Sequence, residues 1–495
     1  MGWFTRKKPI EAKKTIQKQK TTINAGYDAA VSHRRTVRHW LMADNLSANA
    51  ANSKSVRQTL VSKSRYEYFS NSYCYGMINS YAEWIVGTGA RLNILHKDEG
   101  LARDLEYLYT EYAKYINLVE KLMISVTSAT RDGEIFGLMI NNEKNLKDIS
   151  IGLDIFLMET ERITSSFVDG MNAFSNVTSR NIDGVIIDKF GNPTEYQVLA
   201  EHPGDNDTFN VKNFGKLETY KADNMIQLFK PRRAEQYRGI PDITPALELF
   251  GILRDYTNAT LTAAQTAANI AAVLETPDLP DDATYSTGDD TEIPDNNFDQ
   301  LQINMGMMTV LPNGNKLNQL KPEQPTTAYP EFEKRIINAE GRVLNMPMNI
   351  AMGSSEGYNY ASGRLDHQSF IRTVALERKY LVDKFLDKHF NMFFNELVLL
   401  PEHRVMRNQF KKKTSIYRNS TPDRTWFFDG VPHVDPAKEA TAFDKNFANG
   451  ATTLARHYGN QGLDWREEVE QWMKEQDEIA KIEKKNNQET TNEKV

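Results

Sequence analysis

Between residues 244 and 345 the chain reads as a helix, an acidic insert and a second helix, and that order limits what the rest can fold into. Residues 244–275 place Leu249, Leu253, Tyr256, Thr260, Ala263, Ala267, Ile270 and Leu274 on one stripe at helical spacing. Pro241 and Pro245 mark its start, with Thr244 as the N-cap. At 1.5 Å per residue such a helix would run roughly 48 Å. Its lower half, 259–272, holds seven Ala, so small side chains on two faces allow neighbouring helices to come close. That suits a ring or bundle of copies, or a helix buried inside one fold. Neither reading gives the helix clustered ionisable groups for chemistry.

The insert carries eight Asp and Glu and no Lys or Arg from Asp278 to Asp299, with Asp281, Asp282, Asp289 and Asp290 as two adjacent pairs. It lacks the alternating ligand spacing and central glycine of an EF-hand, which leaves a solvated acidic loop or a surface that repels a passing polyanion. A strand pair is expected near 301–303 and 307–311. The second helix, 330–345, sets Phe332, Ile336, Ala339 and Val343 on one face. Its Lys334, Arg335 and Arg342 form either a solvated face or phosphate contacts made without reading bases. Pro347 stops it. The following segment to Gly363 is too polar and glycine-rich for a core, so 347–362 reads as a loop, and a long helix is expected over 364–400.

With 495 residues the chain exceeds what one hydrophobic core usually supports, so an elongated or multi-part subunit is expected. No run approaches the roughly 18 apolar residues of a membrane span, and the N-terminus has no apolar segment behind its charges. The protein is therefore expected to start in a cytoplasm. Cys74 is the sole cysteine, which excludes an internal disulfide and a thiolate metal cage and makes it a packing residue. Residues 1–65 hold fourteen Lys and Arg against three Asp and Glu, so a basic arm precedes an acidic remainder.

The first half reads as α+β. Tyr66, Phe69, Tyr73, Met77 and Trp84 share one helical face, Gly87-Thr-Gly89 ends that helix, and a second helical region covers roughly 100–130. Strands are expected at 91–95, 134–141, 149–158, 184–188, 195–199 and 225–229, with a hairpin over 184–199 turning at Lys189-Phe-Gly-Asn-Pro193.

Enzymatic signatures are thin. Gly215-Lys-Leu fails the P-loop at its third position, and Gly87-Thr-Gly-Ala-Arg lacks the third glycine and the following helix of a dinucleotide fingerprint. The nine His are dispersed. Asp132/Glu134, Asp154/Glu159 and Asp183/Asp188 are pairs from which a two-metal nuclease centre could be drawn, if they converge in space.

Five segments in order carry a resemblance: Tyr75-Gly-Met-Ile-Asn-Ser-Tyr-Ala-Glu-Trp-Ile-Val-Gly-Thr-Gly, Arg131-Asp-Gly-Glu-Ile-Phe, Tyr237-Arg-Gly-Ile-Pro, Tyr358-Asn-Tyr-Ala-Ser-Gly-Arg, and Trp426 with Val434-Asp-Pro-Ala-Lys-Glu-Ala, Asn449-Gly and Gly462-Leu-Asp-Trp. Over about residues 30 to 475 the chain resembles the lambda-type portal proteins of tailed bacteriophages. The resemblance implies a mostly helical α+β portal fold. Its parts would be a basic arm (1–60), a wing (61–243), a first stem helix (244–275), a clip (276–327) and a second stem helix (328–346). A tunnel loop (347–362), a wing helix with its return segment (363–434), a crown (435–480) and a polar tail (481–495) would follow.

It also implies a twelve-membered ring at one capsid vertex, assembled in the host cytoplasm and carried in the virion, with no catalysis and no cofactor. The ring would pass double-stranded DNA without sequence preference during packaging and ejection. It would dock the large terminase, the head-tail connector proteins, the major capsid protein and the scaffold. Asn359, Tyr360 and Ser362 would line the channel, and Asp281, Asp282, Asp289 and Asp290 would form the clip rim. Another virion ring, in a neck or baseplate, or a metal-dependent nuclease is the alternative.

Overall fold

The computed structural model describes residues 40–41, 43–165, 180–205, 216–269, 273–275, 316–318, 328–357, 359–410, 421–430 and 436–492. The expected helix over residues 65–85 is two helices, α1 (Lys54–Ser70) and α2 (Ser72–Val86). They break at Asn71, which leaves helical geometry and uses its side chain to accept from Tyr73 N and Cys74 N. Helix α1 begins at Lys54, inside the span expected as a basic arm (1–60). Arg57 is buried and ion-paired, so it belongs to the folded body. Cys74 is fully buried, and burial pushes its thiol up to about 12.

Gly87-Thr-Gly89 closes α2 through side chains from far along the chain. Arg378 donates to Trp84 O and Ile85 O, both at 3.0 Å, and to Asp429 O, while Asp429 accepts from Thr88 Oγ1 at 2.7 Å. Strand β1 (Arg91–Ile94) follows. The helical region near 100–130 also divides, into α3 (Glu99–Tyr115) and α4 (Leu118–Asp132), because Asn117 takes a left-handed conformation at φ 52°.

Next come β2 (Glu134–Asn141), a short α5 (Glu143–Ile149) and β3 (Leu153–Met158), so residue 149 closes a helix where a strand was expected. Asn142 caps α5, and Ser150 ends it at φ 60°. Strands β4 (Arg180–Ile182), β5 (Val185–Ile187), β6 (Pro193–Leu199) and β7 (Leu217–Lys221) make an antiparallel meander. The expected hairpin is its β5–β6 pair. Strand β8 (Met225–Phe229) pairs with β2 in a separate sheet of order β3-β2-β8.

Strand β2 is buried on both faces and divides two cores. Ile135 and Met139 belong to the large helical core, whereas Phe136 and Leu138 pack with Ile182, Val185, Tyr196 and Val198 of the meander. Gly137 allows this, since a Cβ there would stand 3.1 Å from the Ile155 side chain.

The long helix α6 (Leu247–Asn269) has 23 residues, about 34 Å, preceded by a 3-10 turn at Thr244–Ala246. It is shorter than the expected 32 residues because Val273–Glu275, β9, pairs antiparallel with Lys316–Asn318, β10. Of these residues the β-branched Val273 favours the extended state. Asp281, Asp282, Asp289, Asp290 and the strand pair expected at 301–311 lie outside the described residues, as does most of 1–42.

Helix α7 (Ala328–Arg342) is followed by a tight turn and α8 (Met348–Met352). Helix α9 (Tyr360–Leu381) runs through a π-turn at Val382–Leu386 into α10 (Asp387–Leu397). Strand β11 (Arg424–Phe427) pairs with β1, joining the late chain to the early one. Helices α11 (Pro436–Ala448), α12 (Leu454–Asn460) and α13 (Trp465–Asn492) complete the described chain. Helix α13 continues through residues read as a polar tail, because Lys, Glu and Gln are good helix formers. No helix among the described residues is long and apolar enough to cross a membrane.

Candidate functional site

Helices α6 and α7 face each other through aromatic rings. Tyr256 stacks on Tyr329 at 5.5 Å and meets Phe332 at 4.6 Å, and Thr257 shares a hydrogen bond with the Tyr329 hydroxyl. The buried face of α7 differs from the expected one by about a third of a turn. Ile336, Ile337, Glu340 and Leu344 are buried, while Ala339 and Phe332 are exposed. Counting Glu340 as polar hid this face in the sequence.

At the end of α7 the chain reverses within five residues. Asn345 adopts φ 52°, and Met346 N returns to Gly341 O at 3.0 Å. Gly341 lies against α8, where a Cβ would stand 2.7 Å from that of Ala351. Met348–Met352 is therefore helical, and the segment read as one loop over 347–362 is reduced to 353–359. Pro347 opens α8, and Gly353, at φ 65°, closes it.

The three candidate channel residues sit at the start of α9 rather than along a loop. Asn359 is the N-cap, its side chain accepting from Ser362 N at 2.9 Å, and Ser362 Oγ donates back to Asn359 O at 3.1 Å. Tyr360 occupies the first turn. Asn359 and Ser362 satisfy helix ends instead of projecting freely, because a Ser or Asn at a helix start competes for its unpaired N–H groups. Replacing Asn359 by Ala should cost about 1 kcal/mol. The Ser362 and Gly363 amides should then exchange faster with solvent deuterium while those of α10 stay unchanged.

Of the candidate phosphate contacts, Lys334 is directed to Glu356 at 3.5 Å, tying α7 to the 353–359 segment. Arg335 and Arg342 are exposed, and neither forms an ion pair with another described residue.

All of the paired carboxylates but Asp188 meet an arginine or a lysine. Asp132 is held by Arg65 and Arg131, Asp154 by Lys121 and Asn142, and Asp188 closes a turn by accepting from Phe190 N and Asn192 N. Glu134 and Asp183 do come together, around Arg57 and the wholly buried Arg238. Burial alone would raise the Glu134 carboxyl, but Arg238 and Arg57 outweigh it and hold the group below the ordinary range.

Glu159, Glu161 and His202 also lie close together. His202 Nδ1 accepts from Gly204 N at 3.0 Å, so in the neutral ring Nε2 carries the proton and has no lone pair for a metal. Arg65 binds Glu161 and approaches Glu159 at 3.6 Å, supplying the cation that these carboxylates need.

The Arg131-Asp-Gly-Glu and Tyr237-Arg-Gly-Ile-Pro segments form one clasp. Gly239 N donates to Glu134 Oε2 at 3.0 Å, and Asp242 N donates to Thr130 O at 2.9 Å. A Cβ on Gly133 would stand 2.6 Å from Ile240 N, and one on Gly239 would stand 2.7 Å from the Glu134 side chain. Two backbones meet here with no space for side chains.

The sequence model described as "Phage portal protein, lambda family" matches residues 33–378. No curated protein matches. Among solved structures, a chain from "Neck of empty GTA particle computed with C6 symmetry" is similar at 12% identity and TM-score 0.43, covering 71% of this chain and 88% of that one. One from "Neck of native GTA particle computed with C12 symmetry" is similar at 13% identity and TM-score 0.40, over 71% and 88%. A third, from "Virion of native gene transfer agent (GTA) particle", is at 12% and 0.37, over 72% and 91%. With its family model spanning more than half of the sequence, including the clasp and both helices of the α6–α7 pair, the chain belongs to the lambda family of phage portal proteins.

Proposed function

We propose that copies of this chain form a portal ring at one capsid vertex, a conduit for double-stranded DNA during packaging and ejection. The observation that carries this reading is the exposure of α6 beyond Leu253. Asn258, Ala259, Leu261, Thr262 and Ala263 face solvent in the single chain, and Tyr329 and Phe332 cover only one side. A helix face of small side chains around an exposed Leu261 lets neighbouring copies approach closely, and a head-to-tail contact that closes on itself makes a ring. Twelve is the number expected of the family.

In this reading α6 and α7 are the stem, the body from α1 to β8 with α9 and α10 is the wing, and α11 to α13 form the crown. The 353–359 segment is the tunnel loop, and the acidic stretch 278–299 belongs to the clip, where it repels DNA or docks the terminase and then the connector proteins. Arg335 and Arg342 serve as phosphate contacts, with Lys334 reserved for Glu356. Few contacts suit a conduit, because each neutralised phosphate adds affinity and holds back a moving duplex. The capsid and scaffold meet the basic arm.

Negative-stain images of the purified protein test the reading: hollow rings of about twelve subunits are expected, and a uniform monomer would sink it. Deleting 353–358 should leave the rings intact and reduce DNA filling of particles. Unchanged filling would remove the tunnel-loop assignment while leaving the ring.

A further inference from the structure

The last turn of α7 carries Glu340 into the large core. Its side chain has no solvent exposure, and neither carboxylate oxygen has a hydrogen-bond partner among the described residues. An ionised carboxylate in such a place is costly, because nothing replaces the water it loses. The groups facing it make matters worse. From α1 comes Glu67, itself buried, with both its oxygens bound to Arg254 of α6 at 2.9 and 3.1 Å. From α2 come Cys74 and Tyr73, and the Tyr73 hydroxyl donates to Glu333 of α7 at 3.2 Å. Helix α8 brings no charged group. Arg254 is thus committed to Glu67, and among the described residues none donates a hydrogen bond to Glu340.

We infer that Glu340 is a proton-held latch between α7 and the α1–α2 corner. With its proton the carboxyl is a neutral side chain that the pocket can hold. Without it, the last turn of α7 has to leave the pocket to reach water.

Burial, and then the Glu67 charge, push the group up to about 8. A carboxyl raised in the folded state supports it fully below the ordinary carboxylate range near pH 4.5. That support is lost as pH rises to about 8. The reversal after α7 is short and Gly341 packs on Ala351, so a released turn carries α8 and the 353–359 segment with it. The latch is a property of the folded chain. Only naming 353–359 a tunnel loop rests on the proposed function.

Hydrogen exchange on the full-length protein and on Glu340→Gln, at pH 5.5 and pH 8.5 and corrected for intrinsic rates, tests the latch. At pH 5.5, about one unit above the ordinary carboxylate value, the wild type should exchange in α7 and α8 no more than about tenfold faster than the variant. At pH 8.5 it should exchange there about a hundredfold faster or more, one tenfold step corresponding to one pKa unit. Equal protection at pH 8.5 would overturn the latch. So would weaker protection of the variant at both pH values, since the carboxylate would then be accepting a real bond. Images of the same samples keep the readings apart, because a pH-dependent difference without rings would leave the latch and sink the portal ring.

Discussion

Arg238→Met should lower the folding stability of the chain by about 3–5 kcal/mol, the usual cost of removing one partner from a buried ion pair. The guanidinium is 1% exposed. It donates to Glu134 Oε1 at 2.8 Å, and to Ile163 O and Thr160 O at 3.0 Å, and it contacts Asp183. Methionine fills much of the volume but leaves Glu134 buried with Arg57 as its remaining cation, at 3.9 Å. The loss falls where the meander joins the helical body, so unfolding should begin there. Urea denaturation of wild type, Arg238→Met, Glu134→Gln and the double variant checks the argument. The double variant should be less damaged than the sum of the singles, because the second change removes the charge the first one stranded. A loss below about 1 kcal/mol for Arg238→Met would show that the clasp is held by its backbone contacts alone.

A second large effect should appear in acid. His389 is fully buried between Tyr109 and Tyr112, with Nδ1 3.2 Å from the Tyr109 hydroxyl and Nε2 3.0 Å from that of Tyr112. The Tyr112 hydroxyl gives its only hydrogen to Leu153 O. It must therefore accept from His389 Nε2–H, which leaves Nδ1 to accept from Tyr109 and makes the ring neutral. Burial, then the Lys121 charge, pull the group down to about 3.

A base depressed in the folded state binds its proton first in the unfolded chain. Stability present above pH 6.5 is accordingly lost as pH falls toward 3. The loss should approach about 1.4 kcal/mol per pH unit within that window. His389→Gln, which keeps a donor and an acceptor, should give a flatter profile by about that slope between pH 6 and 4. Parallel profiles would assign the acid sensitivity to other groups. The His389 and Glu340 effects have opposite signs, so the stability of the chain is confined from both the acid and the alkaline side.

Much of this architecture was legible in residue patterns. The apolar run after Gly133 marks β2, turn chemistry over 189–193 marks the β5–β6 hairpin, and the α6–α7 pair follows from helical spacing. Breaks inside helices were less legible. Asn71 and Asn117 each interrupt a continuous apolar stripe, and a single Asn is as compatible with a helix surface as with a cap. Site residues were the hardest to read. Asn359 and Ser362 have the chemistry of DNA contacts and of a helix cap alike, and the cap depends on where α9 begins. Arg238 and Glu134 lie 104 positions apart, and Glu340 looks like an ordinary polar residue until the buried face of α7 is known. A glutamate at the i+4 position from Ile336, on a stripe continued by Leu344, was the available signal.

The π-turn at Val382–Leu386 acts as a phase setting. Upstream, Phe370, Val374 and Leu381 face the core in one register; downstream, Phe390, Phe393 and Phe394 face it in another, offset by the extra residue of the wide turn. Deleting one residue here would swing every downstream ring by about 100° about the helix axis. His389 would leave its two tyrosines, and a phenylalanine would be turned to water. Length along this stretch therefore matters in its own right, and exchanging one aromatic for another here should disturb the core far less than removing a single position.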